Sequence, residues 1–79
     1  MTEDDLYARL TDIFREVFED DALVVTPELS ADDVPTWNSL SNIRMVLAVE
    51  ESFQVRFSSA ELSGNRNVGE FVAQLMTKL

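Results

Sequence analysis

Apolar residues recur at helical spacing in three long segments of the chain. In the first segment, over about residues 3 to 18, this spacing gathers one apolar stripe: Leu6, Leu10, Ile13, Phe14, Val17 and Phe18. Thr2 can cap the start of this segment, and the acids at positions 3–5 suit the positive end of a helix dipole. The pattern predicts an amphipathic first helix.

A long connection over residues 19–37 follows, and it contains both prolines of the chain. Apolar side chains are spaced through it, so we expect it to pack onto the core through Leu23, Val25, Leu29 and Val34. Residues 24–26 have strand propensity, but no second segment offers a strand to pair with them. A connection of this length without regular structure is typical of a functional loop.

A second helix is predicted over residues 39–53. At about 100° per residue, one broad arc that should face the core contains Leu40, Ile43, Val46, Leu47 and Phe53. The opposite side, which should face solvent, contains Ser41, Arg44, Ala48, Glu51 and Ser52. Glu50 projects into the apolar arc, where an unpaired carboxylate is costly. We therefore expect Glu50 to pair with a backbone group or an arginine near the third helix.

Two further helices complete the pattern. Ser58 and Glu61 have the spacing of a capping box at the start of a short helix over about residues 59–63. Asn67 can cap a fourth helix over about residues 68–78. Its apolar stripe consists of Val68, Phe71, Val72, Leu75, Met76 and Leu79.

These elements predict an all-α bundle of three main helices and a short third one, in a single domain over residues 1–79. With 46% apolar residues in regular patterns, the chain is not expected to be disordered. The acidic N-terminal stretch lacks the features of a signal peptide, and no apolar run approaches the roughly 20 residues that cross a bilayer. We expect a cytoplasmic monomer without membrane insertion.

Charge and missing residue types exclude several function classes. The formal net charge of −9 argues against nucleic-acid binding and favours partners with basic surfaces. The chain has neither histidine nor cysteine, so it lacks the commonest general base and all thiolate metal ligands. We therefore expect no metal site and no enzymatic activity of its own.

Ser39 stands at the start of the second predicted helix. Without a histidine it cannot form a hydrolase triad within this chain. The free amides and the dipole of a helix N-terminus favour a phosphate group at such a position. The alternative is that Ser39 simply starts the helix, because serine is common there.

The stretch over residues 37–53, WNSLSNIRMVLAVEESF, resembles the helix 2 signature of acyl carrier proteins and related peptidyl carrier domains. The core motif of that family is Asp-Ser-Leu, and its serine carries a 4′-phosphopantetheine arm through a phosphodiester. The order of the predicted elements also resembles this family over the whole chain. The resemblance implies that Ser39 is the attachment site and that the thiol of the arm, rather than a cysteine, holds acyl groups as thioesters.

The resemblance also implies roles for neighbouring positions. Beside Ser39, the residues assigned to the cofactor site are Asn38, Leu40 and Trp37, although we expect Trp37 mainly to pack the loop against the start of the second helix. The residues expected to line an acyl cavity are Ile43, Val46, Leu47, Phe53 and Phe71. The residues expected to dock partner enzymes are Leu40, Arg44, Met45 and Glu51.

Two positions depart from the family pattern. Asn38 replaces the aspartate, which preserves a helix cap but removes a negative charge that the loading enzyme can use. Arg44 stands on a face where the family commonly has acids. Because rim charges govern association rate and discrimination, Arg44 indicates a specialised carrier with its own partner set.

The resulting hypothesis is a stand-alone acyl carrier in a lipid or secondary-metabolite pathway. Its expected partners are a phosphopantetheinyl transferase, an acyl- or aminoacyl-loading ligase, and downstream synthase or transferase enzymes. One alternative is a peptidyl or aminoacyl carrier. The other is an unmodified helical adaptor with a carrier fold, an interpretation that Asn38 alone supports.

Overall fold

The fold is all-α, as predicted, in a computed structural model that describes residues 2–79. Within that range no strand occurs, and the elements in chain order are α1 (Glu3–Val17), a 3₁₀ turn (Ala31–Asp33), α2 (Ser39–Phe53), α3 (Ser59–Ser63) and α4 (Val68–Met76). The bounds of α2 and α3 agree with the prediction to the residue, whereas the 3₁₀ turn was not predicted. None of the helices in residues 2–79 is both long and apolar enough to cross a membrane.

The core lies where α1, α2 and α4 meet. Its buried helical side chains are Leu6, Leu10, Phe14 and Phe18 near α1, Met45, Val46, Val49 and Phe53 on α2, and Val68, Phe71, Val72 and Leu75 on α4. The predicted stripe of α1 is confirmed, with Ile13 and Val17 packed at its edge rather than fully buried.

The prediction of which face of α2 is buried was partly wrong. Val46 and Phe53 are buried as expected, but three large apolar side chains are exposed: Leu40 by 63%, Ile43 by 57% and Leu47 by 57%. The buried face is completed instead by Met45 and Val49, which are 3% and 0% exposed. The apolar residues of α2 occupy two arcs about the helix axis, and packing in the bundle buries only one of them.

The long loop before α2 packs onto the core, as predicted. Val25 and Val34 are buried in the core, and Leu23 and Leu29 are partly buried and pack against it. The carbonyls of Leu29 and Pro27 accept the amides of Val68 and Gly69, at 2.9 Å each. The loop therefore satisfies backbone donors in the first turn of α4, which fixes the position of this helix.

Short contacts hold α3 against the end of the chain. The Lys78 ammonium lies 2.9 Å from a Glu61 carboxylate oxygen. Its hydrogen bond is the main reason that the pKa of Glu61 lies below the ordinary value of 4.5. The stabilisation is therefore present above that ordinary value and is lost as the pH falls through the lowered pKa.

The fourth helix is shorter than predicted. It ends at Met76, and Met76 and Leu79 are 46% and 56% exposed, so they do not belong to its buried stripe. The amides of Lys78 and Leu79 instead make short-range turn hydrogen bonds to Leu75 and Met76.

Glu50 pairs with a backbone group, as predicted. Its Oε2 atom accepts the amide of Phe57 at 2.8 Å, in a partly buried position in the segment between α2 and α3. We expect Glu50→Leu to lower the free energy of unfolding by about 1–3 kcal/mol, because it leaves this amide without an acceptor. We expect Glu50→Gln, which keeps an acceptor oxygen, to cost less.

The matched control is Glu51→Leu, at the next, exposed position of the same helix. It should change the free energy of unfolding by no more than about 0.5 kcal/mol. Denaturant unfolding of the three variants measures the difference, and equal losses at positions 50 and 51 would contradict this role of the Phe57 hydrogen bond.

Candidate functional site

Asn38 caps α2. Its Oδ1 atom accepts the amides of Leu40 and Ser41, both at 3.0 Å. In return, the Ser41 hydroxyl oxygen accepts the Asn38 amide at 2.8 Å. The expectation that asparagine preserves the cap is confirmed. Two of the amides expected to be free at this end of the helix are therefore already paired with the Asn38 side chain.

Ser39 is the first residue of α2 and is exposed. It takes no part in the cap, because Asn38 and Ser41 supply both side chains of the capping box. Helix capping therefore does not account for a serine at this position. Its hydroxyl is placed at the surface, at the positive end of the 15-residue helix.

Trp37 packs next to the start of α2, as predicted, and it also contacts α1. Its Nε1 atom donates to Asn42 Oδ1 at 3.0 Å. Its ring lies edge-on to Phe14, with 5.5 Å between centroids, and 5.3 Å from Phe18. These contacts fix the end of the long loop immediately before Ser39.

A cavity of about 380 Å³ extends from Ser39 into the bundle. Its inner wall is apolar and reaches the core, with Phe14, Met45, Val46, Leu62, Val68 and Phe71 among its residues. The polar side chains of its lining are all exposed or half-buried, and they are Asn38, Asn42, Asn65, Arg66 and Asn67. The cavity thus changes from polar to apolar with depth, which suits an amphipathic ligand.

Two of the five residues predicted to line an acyl cavity lie in the lining of this one. Val46 and Phe71 line the cavity, whereas Ile43, Leu47 and Phe53 do not. Ile43 and Leu47 lie on the exposed arc of α2, and Phe53 is buried at the far end of that helix. Met45, which was predicted to dock partners, is buried and lines the cavity instead.

The sequence analysis missed the contribution of the segment between α3 and α4. Asn65, Arg66 and Asn67 line the same cavity as residues of α2 only through the tertiary fold. Their sole local signal was the capping position of Asn67, whose Oδ1 accepts the Glu70 amide at 3.0 Å.

An exposed apolar stripe runs along α2 from the residue after Ser39. It consists of Leu40, Ile43 and Leu47, which we call the α2 stripe. By helical geometry Arg44 and Glu51, both exposed, lie along one edge of it. The site therefore combines a surface serine, a cavity beside it and an apolar face directed towards solvent.

Comparison with known proteins gives a consistent result, although no protein-family model matches the chain. The chain is 32% identical to the meromycolate extension acyl carrier protein of Mycolicibacterium smegmatis, over 94% of this chain and 75% of that protein. It is 31% identical to the protein of the same name from Mycolicibacterium aurum, over 94% of this chain and 76% of that relative.

Among solved structures, the holo acyl carrier protein of Geobacter metallireducens matches with a TM-score of 0.86 and 38% identity, over 91% of this chain and 83% of that one. The sequence and structure likenesses both extend over nearly the whole chain. The chain belongs to the acyl carrier protein family.

Proposed function

We propose that Ser39 is the residue at which this acyl carrier takes 4′-phosphopantetheine. The thiol of the attached arm then holds acyl intermediates as thioesters for delivery to partner enzymes. The observation that carries the proposal is an exposed serine that does not cap its helix and lies beside a cavity of about 380 Å³.

The residues around Ser39 fit this group. A phosphodiester on the Ser39 hydroxyl is favoured by the positive end of the α2 dipole, even though Asn38 already pairs with the amides of Leu40 and Ser41. The polar part of the cavity suits the amides of a pantetheine arm, and the apolar part suits an acyl chain. The group supplies a thiol, which no residue of this chain provides.

The protein itself binds and shields the cargo. Phe14, Val46 and Phe71 form an apolar wall that excludes water from an acyl chain. The limited volume restricts how much of a long chain enters the bundle. Since these side chains also belong to the core, cargo binding uses packing that the fold needs in any case.

The α2 stripe is the proposed docking face for the transferase, the loading ligase and the downstream enzymes. Leu40, Ile43 and Leu47 supply apolar contact area next to the attachment site. Arg44 and Glu51 add mixed charge at the edge, which selects among partners. Met45 has no part in this face because it is buried.

The named relatives favour an acyl cargo in a lipid pathway. Both bacterial relatives are acyl carriers named for meromycolate extension, which argues for an acyl rather than an aminoacyl group on this chain. Within the pathways expected from the sequence, we therefore propose lipid assembly ahead of secondary metabolism.

Incubation with coenzyme A, magnesium and a broad-specificity phosphopantetheinyl transferase tests the attachment site. The intact mass should rise by one phosphopantetheinyl group in the wild-type protein and remain unchanged in Ser39→Ala. Ser59→Ala is the matched control, because Ser59 is also an exposed first residue of a helix. Modification of Ser39→Ala, or no modification of the wild type by several transferases, would refute the proposal.

Restoring the charge of the family motif tests the role of Asn38. We expect Asn38→Asp to raise kcat/KM for loading by about 1.4- to 5-fold, corresponding to roughly 0.2–1 kcal/mol for one exposed charge interaction. Thermal stability should hardly change, because both residues cap helices well. Ser58→Asp, at the cap of α3, is the control. An equal gain in that control would mean that added charge acts without regard to position.

Substitution on the α2 stripe tests docking. We expect Leu47→Gln to lower kcat/KM for loading by about 5- to 30-fold, because an apolar anchor at a protein interface is worth roughly 1–2 kcal/mol. Met76→Gln, at an exposed apolar position on α4, should have no effect. If both variants were loaded at the wild-type rate, the transferase would not use this part of the stripe.

A further inference from the structure

The lining of the cavity has a charge opposite to that of the protein. The chain contains 15 acidic residues and has a net charge of −9. Among the described residues that line the cavity, none is acidic, and Arg66 is the only charged one. The lining of the cavity that includes Ser39 therefore carries a positive charge in an acidic protein.

Three of the other five basic side chains of the chain are engaged by nearby groups. Arg15 Nε donates to the Leu23 carbonyl at 2.7 Å. The Lys78 ammonium pairs with Glu61. No such salt bridge involves the exposed Arg66 within residues 2–79.

Glu70 is an acid that contacts Arg66. Its Oε1 atom accepts the backbone amide of Arg66 at 3.0 Å, as part of the turn that starts α4. Glu70 thus positions the backbone at residue 66, while no ion pair between the two side chains occurs in the described structure. The guanidinium remains available to an anion in the cavity.

We propose that Arg66 binds the phosphodiester on Ser39 and so holds the arm against the segment between α3 and α4. This inference rests on the proposed function, since it needs the modified serine. A guanidinium offers several donors in a planar arrangement that matches phosphate oxygens. Asn38 is uncharged and does not repel the phosphodiester, whereas an aspartate at this position would place a negative charge beside it.

A carboxylate at the end of a carried acyl group is a second possible anion for Arg66. The phosphodiester is favoured because its position is set by attachment to Ser39, which lines the same cavity as Arg66. A terminal carboxylate reaches the guanidinium only if the acyl chain folds back. Arg66 is in either case a positioning residue, since it does not touch the thioester.

The test uses intact protein in the apo and holo forms, as wild type, Arg66→Gln and the control Arg44→Gln. Arg44 is also exposed, but it lies outside the cavity lining. Intact mass first establishes full conversion. Phosphorus NMR then reports on the phosphodiester, and ¹H–¹⁵N spectra report on the arginine Nε groups.

We expect the Arg66 Nε resonance to shift on conversion from apo to holo protein. The phosphorus resonance of holo Arg66→Gln should differ from that of wild type, whereas holo Arg44→Gln should coincide with wild type. Raising the salt concentration from about 0.05 M to about 0.5 M should move the wild-type phosphorus resonance towards the Arg66→Gln value, because the contact is at the surface.

Two further loaded forms separate the two anions. Malonyl and 3-methylbutanoyl groups have nearly the same shape, but only the first ends in a carboxylate. A shift of Arg66 already present in the holo form and equal in both acyl forms supports the phosphodiester. A shift that appears only with malonyl would overturn it in favour of the carboxylate.

The two proposals fail in different ways. Full conversion with unchanged Arg66 and phosphorus resonances would overturn the role of Arg66 and leave Ser39 as the attachment site. Absence of conversion would appear in the mass spectrum and would overturn the attachment proposal, and with it the role of Arg66.

Discussion

The packing of α2 against α1 sets the rotation of α2 about its own axis, and the geometry of the site depends on that rotation. Val49 is completely buried, and Met45 lies one turn before it on the same face. At the end of the helix, Arg9 of α1 donates to the Ser52 carbonyl and hydroxyl oxygens, at 3.0 and 2.7 Å. Its guanidinium also lies 4.3 Å from the centre of the Phe53 ring. Apolar burial and a charged contact therefore favour the same rotation.

That rotation places the cavity lining and the exposed apolar stripe on different sides of α2. Met45 and Val46 line the cavity, so this is the side of α2 proposed to bind the cargo. Leu40, Ile43 and Leu47 face solvent, where three large apolar side chains bring no stability to the isolated protein. Large exposed apolar groups close together are typical of interaction surfaces. A turn of the helix by about 140° would bury the proposed docking face and expose part of the core.

How far the sequence predicts the structure depends on whether the signal is local. The bounds of α2 and α3 were predicted correctly because capping side chains such as Asn38 and Ser58 act within one turn. Glu50 was predicted correctly because a carboxylate in an apolar arc needs a partner. The buried face of α2 was not predicted correctly, because the apolar positions of this helix form two arcs and periodicity alone does not choose between them.

The candidate site shows the same division. Ser39 and the packing of Trp37 could be inferred from the residues around them. Arg66 could not, because it lines the same cavity as Ser39 only through the folding of the segment between α3 and α4 and belongs to no local pattern. Side chains that come together only in the folded protein leave no signal in the spacing of residues along the chain. The chemistry of the site residues can be read from the sequence, but the tertiary contacts that bring them together cannot.

Asn38 links the capping of α2 to the charge at the cavity. It makes the two hydrogen bonds of a good cap, and in doing so leaves the cavity lining without an acid. The net charge of −9 acts over distances comparable to the Debye length, about 10 Å at 0.1 M salt, and attracts basic partner surfaces. The cavity lining that includes Ser39 acts over contact distances and contains Arg66, the proposed partner of an anion, and no acid among its described residues. An acidic carrier can thus attract basic enzymes and still accommodate a phosphodiester, because the two effects operate over different distances.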